Sequence, residues 1–326
     1  MSDLGGTVSS NYRGASGFSR LFSFELVTVV SSTIVLLILC LILAPSSVTA
    51  GAFAGSLPFA AAGAIVGLGQ MLVVQQRGFD LSVPGAISFA VVMSTHYPAG
   101  NDAALLPAVL MIICFAIVVG LLNGFLVSFL KLNAIVATIG MNALLFSAVF
   151  AVSGGVPRRT TNLLAEIAGG TLFGIGHAVY IAVIIVALMT FVLKMTVAGR
   201  RFEGVGANPL MAGSVGLNVR LHEMMAYVYA QLLFALAGLL LAGLTSQPTA
   251  FQGNSYLLPS VAMVVLGGTS LMGGRGFPVS TAIAAFFLTQ LGQLSIAIGV
   301  PYSAQTIIQA VALGFGIAIY SFRRSQ

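Results

Sequence analysis

Asp80 stands inside "RGFDLSVPGAIS", Arg77 to Ser88, where an acid, two serines and a proline interrupt long apolar runs in a chain with only seven acidic residues among 326. A carboxylate in such surroundings has three uses: it acts as a general acid or base, it relays protons, or it accepts hydrogen bonds that a broken helix leaves unmet. The first two need partners, and the sequence supplies few. No pair of carboxylates, no Ser/His/Asp set and no His-rich metal spacing gathers at one end of the apolar segments, so catalysis has little support. His96 and His177 fall near segment ends with no titratable cluster about them, and they read as interfacial side chains rather than proton carriers. Cys40 and Cys114 each lie within an apolar run, which suits buried free thiols acting as small apolar side chains, not a disulfide or a metal pair. The glycine-rich "LGGTSLMGGRG", Leu266 to Gly276, lacks the lysine of G-x-x-x-x-G-K-[ST]; it reads as a broken or closely packed helix end, not a phosphate loop.

The elements that must position these groups follow from composition. Hydrophobic residues make up 58% of the chain and charged ones 6%, against roughly 25% charged in soluble domains. Lipid is therefore the main solvent. Open sheet edges do not survive in hydrocarbon, and the unalternating apolar runs do not fit a barrel's period of two, so an all-α, polytopic membrane protein is expected. Runs of about 20 apolar residues place ten spans, near 26–44, 57–76, 83–97, 104–129, 133–154, 177–198, 224–245, 256–273, 278–298 and 303–321. With the N-terminus inside, eleven of the thirteen Lys and Arg residues fall on the cytoplasmic side, leaving Arg158 and Arg159 outside, so both termini are expected in the cytoplasm. The net charge of +6 is scattered between apolar segments rather than clustered, which reports topology and not nucleic-acid binding. "VTA", Val48 to Ala50, resembles a signal-cleavage site, but the apolar run before it exceeds a signal peptide's core, so an uncleaved signal-anchor is expected. The organisation is a short cytoplasmic tail, 1–24, and one transmembrane domain, 25–326.

Small residues run through the spans, as in "AAAGAIVGLGQ" from Ala60 to Gln70, and let helix backbones approach closely. "RGF" occurs twice, at Arg77 to Phe79 and Arg275 to Phe277, each before a Gly/Ala-rich segment, as a weak internal repeat or by chance.

The inner loop, about 199–223, reads "GRRFEGVGANPLMAGSVGLNVRLHE". Asn208 is a good N-cap, Pro209 suits the first helical position, and Gly216 can take the left-handed conformation that ends a helix. The two turns between them are apolar and marginal by themselves. Such a helix implies a covering surface, either a partner or the inner face of its own bundle.

This segment resembles the coupling-loop signature of bacterial ABC importer permeases of the ribose, xylose and galactose class: G-R, A-x-G-x-N, A-A and S-G-I. Gly199, Arg200, Gly206, Asn208, Ala212 and Gly216 match, while Gly204, Met211 and Leu217 depart mildly. "FDLSVPGAISFA" is similar to that family's D-L-S-V-G segment, with Pro84 in place of Gly, and "SVAMVVLGGTSLMGGRG" and "NGFLVSFLKLNAIVATIGM" extend the resemblance from about residue 70 to the end. It implies a permease, paired with a second copy or a sister chain in the inner membrane. A cytoplasmic ATPase would dock on the inner loop, through Gly199, Arg200, Glu203, Gly206, Asn208, Pro209, Ala212 and Gly216, and a periplasmic binding protein would deliver a monosaccharide or polyol. No cofactor is then expected on this chain; ATP and Mg would be bound by the partner ATPase.

A path for an uncharged, hydroxyl-rich solute needs only a mildly polar wall. Gln70, Asn133, Thr138, Asn142, Gln247 and Thr249 are candidates, because polar side chains in lipid are costly unless they face a cavity or a partner helix. Interhelical hydrogen bonding is the alternative for each. The breaks at Phe79, Asp80, Ser82 and Pro84, and at Gly267, Gly268 and Thr269, are expected against the path, since irregular backbone at membrane depth must be covered by protein or water. The third span has only fifteen residues, about 22 Å at 1.5 Å per residue, so it must start below the interface or be unwound at its start, with Asp80 or Ser82 expected to cap its exposed N–H groups. A proton- or sodium-driven secondary transporter is the competing reading, and it would normally place ionisable residues at mid-membrane.

Overall fold

The computed structural model describes residues 24–301 and, beyond them, 304, 305, 307, 311 and 314. The expected tail at 1–24 and tenth span at 303–321 lie almost wholly outside the described residues, as do Arg13, Arg20, Arg323 and Arg324.

The chain is mostly helical: α1 Phe24–Leu43, α2 Ala50–Gln75, α3 Val83–His96, α4 Leu105–Gly124, α5 Ala134–Ser153, α6 Asn162–Gly169, α7 His177–Met195, α8 Val197–Ala207, α9 Pro209–Ser214, α10 Val219–Leu244, α11 Leu257–Leu266 and α12 Pro278–Ala297. A π-helical turn, Phe125–Phe129, extends α4. Between α6 and α7 an antiparallel hairpin pairs β1, Thr171–Leu172, with β2, Ile175–Gly176. Its tip residues Phe173 and Gly174 both have positive φ, as a two-residue hairpin turn requires. Alternation is unreadable over two-residue strands, so this exception to an all-helical fold left no sequence signal.

Among the described residues seven helices are long and apolar enough to cross a membrane: α1, α2, α4 with its flanking turns, α5, α7, α10 and α12. Two of the ten expected spans are shorter than a crossing. α3 has 14 residues, about 21 Å long, and α11 has 10, about 15 Å, against a hydrocarbon core of roughly 30 Å. The span expected at 256–273 stops at Leu266 because Gly268, at φ 86, turns the chain and the N–H groups of Gly268 and Thr269 close back onto Val265 O and Val264 O. In contrast, α2 starts seven residues before the expected 57 and takes Pro58 into its interior, a tolerated position where neighbouring helices cover the freed backbone group.

The core is α2, surrounded by α10, α12, α7 and α11, while α3 packs between α10 and α5. Most of the α2 span is buried within the protein, whereas α1, α5 and α7 turn most of their surface outward. Apolar burial provides no drive for packing between helices in lipid, so close fit must supply it. A Cβ on Gly120 of α4 would stand 2.5 Å from the Val228 Cα of α10, and one on Gly238 of α10 would stand 2.7 Å from Ile87 O of α3. Only glycine permits those approaches. Cys40 is buried as expected, but Cys114 lies on the outward face of α4 and is exposed; the apolar run did not distinguish a lipid-facing stripe from a protein-facing one.

Candidate functional site

Two polar constellations stand out in this apolar bundle. The first occupies the break between α2 and α3. Asp80 is fully buried. Its Oδ1 accepts from Ser82 N at 2.9 Å and Ser82 Oγ at 2.5 Å, and its Oδ2 accepts from Gln231 Nε2 of α10 at 2.8 Å. Ser82 Oγ in turn accepts from Asn123 Nδ2 of α4 at 3.0 Å and from Gln231 Nε2 at 2.8 Å. Each contact to the carboxylate is a donation, as an ionised acceptor needs. Burial pushes the Asp80 carboxyl, which lies in the turn between helices, above its usual range, and the hydrogen bonds from Ser82 and Gln231 pull it back.

This geometry corrects the expected cap. Ser82 is the N-cap residue of α3, yet its side chain makes no capping bond, and Asp80 closes a turn onto Ser82 N rather than onto the first helical N–H groups. The capping comes from α5. Thr138 Oγ1 accepts from Leu81 N at 2.9 Å, and Asn142 Oδ1 accepts from Gly85 N at 2.8 Å. Thr138 and Asn142, one turn apart on α5, thus satisfy the backbone on either side of the Ser82–Pro84 bend. A cap borrowed from another helix 57 residues on has no local signature. Pro84 is buried at the second helical position, where its missing N–H is not needed.

Other expected path residues scatter. Gln70 is fully buried in α2, and neither its Nε2 nor its Oε1 has a hydrogen-bond partner. Asn133 is exposed and caps α5 through Ile135 N and Val136 N. Gln247 is exposed beyond the end of α10, so it does not face the inside of a span. Thr249, also exposed, bonds Gln252. Phe79 is half-buried and packs against the apolar cluster that contains Leu68, Met71 and Phe202. Gly267 presses on Thr281 of α12, Gly268 on Glu25 of α1, and Thr269 is buried with its hydroxyl unpaired.

The second constellation lies at the end of the bundle that carries Arg77, Lys131, Lys194, Arg220 and Arg275. Thr196 Oγ1 caps α8 by accepting from Gly199 N, and Gly199 packs directly on the last turn of α7. Glu203 pairs with Lys194, while Arg200 is exposed. Asn208 Oδ1 accepts from Met211 N at 3.1 Å, Pro209 follows at the first helical position, and Gly216 has φ 83, so α9 is bounded by the residues expected to bound it. On α9 Ala212 faces inward at 6% exposure, whereas Leu210 at 87% and Met211 at 63% face outward, as does Val215 just past its end at 73%. The preceding helix α8 was not expected.

Sequence reasoning also missed what holds α8 in place. Arg77 Nε donates to Gly206 O at 2.9 Å and its Nη2 to Ala207 O at 2.6 Å, two carbonyls that end α8. Gln76 Nε2 reaches Phe202 O at 2.9 Å. Gln75 O accepts from Gly274 N, and Gln75 Nε2 donates to Gly274 O, so the end of α2 is clamped to the loop before α12. The two "RGF" segments therefore sit side by side. Arg77 itself has φ 65, a left-handed conformation costing about 1 to 2 kcal/mol outside glycine, in the position where glycine commonly ends a helix.

The family model for the branched-chain amino acid transport system / permease component matches residues 52–315. The chain is similar to the ribose import permease protein of Escherichia coli, 31% identical over 263 residues, covering 78% of this chain and 81% of that one. It is 30% identical over 267 residues to the autoinducer 2 import system permease protein of an Enterobacter species, covering 80% and 76%. It is 29% identical over 328 residues to a probable ABC transporter permease protein of Sinorhizobium fredii, covering 99% and 97%. No solved structure matches.

Proposed function

We propose, from the premise that this chain belongs to the branched-chain amino acid transport system / permease component family, that it is the membrane-spanning subunit of an ATP-driven importer of a monosaccharide or related polyol. A multi-pass protein of the bacterial inner membrane is what that membership and the seven long apolar helices describe. Family relatives named for ribose and autoinducer 2 import support a small, hydroxyl-rich solute.

The observation that carries the mechanism is α9. A six-residue helix that shows Leu210 and Met211 to the outside, followed by exposed Val215, and buries only Ala212 in its own protein is short of the packing such a helix needs. A cytoplasmic ATPase surface is the covering we assign to it. The end bearing Arg77, Lys131, Lys194, Arg200, Arg201, Arg220 and Arg275 is then the cytoplasmic end. ATP and Mg are bound by that ATPase, and a second permease copy or sister chain and a periplasmic binding protein complete the assembly. The seven spans and the Asp80 knot give the solute a scaffold to move along, not a tight site, since tight binding would hinder release. Family membership weighs against ion-driven secondary transport.

The test is reconstitution of the chain with an ATPase and a sugar-binding protein encoded beside it, with the sugar chosen by a thermal-shift screen of the binding protein. ATP-dependent uptake of that sugar into proteoliposomes is expected. Uptake that persists without ATP and follows a proton or sodium gradient would overturn the reading.

A further inference from the structure

The geometry points to Arg77 as the joint that carries movement of the inner loop into the bundle, a positioning role that rests on the reading of α9 as the docking helix. α8 ends at Ala207 and α9 begins at Pro209, so Asn208 alone separates them. Arg77 holds both carbonyls at the end of α8, Gly206 O at 2.9 Å and Ala207 O at 2.6 Å. A guanidinium there meets acceptors that have no intrahelical donor and sits at the favourable end of the helix dipole. On its N-terminal side, α9 is joined to the bundle through the backbone that Arg77 grips; on its C-terminal side it runs through 215–218 into α10.

The grip leads to the centre of the fold. Arg77 is the residue after Gln75 and Gln76 at the end of α2, the most buried of the seven spans. Gln76 Nε2 fastens the same end to Phe202 O of α8. Gly206 lies directly against Gln75 O, with no room for a Cβ, and a Cβ on Gly273 would meet both Arg77 Cγ and Gly206 O at 2.6 Å. Three segments are thus interlocked: the end of α2, the end of α8 and the loop before α12. Three residues beyond Arg77 is Asp80, whose carboxylate and Ser82 partner tie the same turn to α4 and α10. The shortest route from the end of α8 to the α2–α3 break through Arg77 takes one side chain and the backbone from Arg77 to Asp80.

Two features mark the side chain as the reason for this residue. Its backbone is left-handed at φ 65, which glycine would adopt more readily. Among the described residues, no carboxylate forms an ion pair with it, so its charge is directed to backbone carbonyls. Contacts of that kind can be exchanged as a helix end shifts, without leaving an opposing buried charge.

The test uses the full complex of permease, ATPase and binding protein in proteoliposomes, comparing wild type with Arg77→Gly and Arg77→Lys. Glycine keeps the left-handed turn and removes only the grip; lysine keeps the charge and gives up the two-point fork. With Arg77→Gly the ATPase is expected to co-purify at the wild-type ratio and hydrolyse ATP within about twofold, while sugar moved per ATP falls at least tenfold. Arg77→Lys is expected between the two. Unchanged sugar per ATP in both variants overturns the joint and leaves the docking role of α9 standing. Loss of ATPase from Arg77→Gly also overturns it, since Arg77 would then belong to the docking surface. A wild-type chain that recruits no ATPase overturns the functional reading first, and the joint with it.

Discussion

Gln231 of α10 donates its side-chain amide to Asp80 Oδ2 at 2.8 Å across 151 residues of sequence. The same Nε2 lies 2.8 Å from Ser82 Oγ. One amide therefore bridges both polar groups of the α2–α3 break, and the acid is held by donors from Ser82 and from α10, with Asn123 of α4 bonded to Ser82 behind them.

Asp80→Leu would remove the acceptor for Ser82 N–H, for the Ser82 hydroxyl proton and for one N–H of Gln231 in a buried site, at about 1 to 3 kcal/mol for each donor left unmet. Asp80→Asn keeps one acceptor for Ser82 and lets the Gln231 amide turn to meet the new donor. Substantial sugar uptake is expected for Asp80→Asn and near-complete loss for Asp80→Leu, compared at equal membrane levels. Equal, complete loss in both would assign the charge itself a role.

Removal of the cap lent by α5 should loosen α3 without touching its sequence. Asn142→Leu and Thr138→Val each delete an acceptor for a backbone N–H at the bend, so each is expected to cost about 1 kcal/mol. Asn142→Asp retains the acceptor and should cost less than Asn142→Leu. Thermal unfolding of the purified protein in detergent measures this, and identical midpoints for wild type and Asn142→Leu would refute the cap.

Docking and packing separate on the inner loop. Met211→Asp alters an outward side chain, so normal membrane levels with loss of the co-purifying ATPase are expected. Gly206→Val drives a side chain into Gln75 O, so a fall in membrane level or thermal stability should come first. If Gly206→Val accumulates normally and only ATPase binding is lost, Gly206 belongs to the docking surface instead.

The loop after α11 tolerates less than its glycine content suggests. A Cβ on Gly267 would lie 2.8 Å from the Thr281 Cα and 2.9 Å from Met263 O, while Gly268 has φ 86 and faces Glu25. Gly267→Leu is expected to abolish folding into the membrane. Gly268→Ala adds the left-handed penalty of about 1 kcal/mol and should lower uptake moderately. Normal uptake by Gly267→Leu would show that α11 and α12 are not packed as closely as described.

Much of this protein was legible in its residues. Composition gave a helical membrane chain, and the Asn-Pro and Gly punctuation of 208–216 gave α9, because capping is a local property. The coupling motif gave the family. Hydropathy also held a signal that was not used: the three spans of lowest mean hydropathy, α2, α10 and α12, are the three most buried, since helices packed on protein carry the small and polar residues that lipid-facing ones lack. What the sequence could not decide is which polar groups meet. Asp80 was legible as a structural acid at a broken helix, but its partner on α10, the Ser82 partner on α4, the cap from α5 and the Arg77 grip on α8 each join residues 41 to 151 positions apart. Those pairings depend on which helices are neighbours and how they are rotated, and in a bundle apolar on nearly every face that is settled by tertiary packing alone.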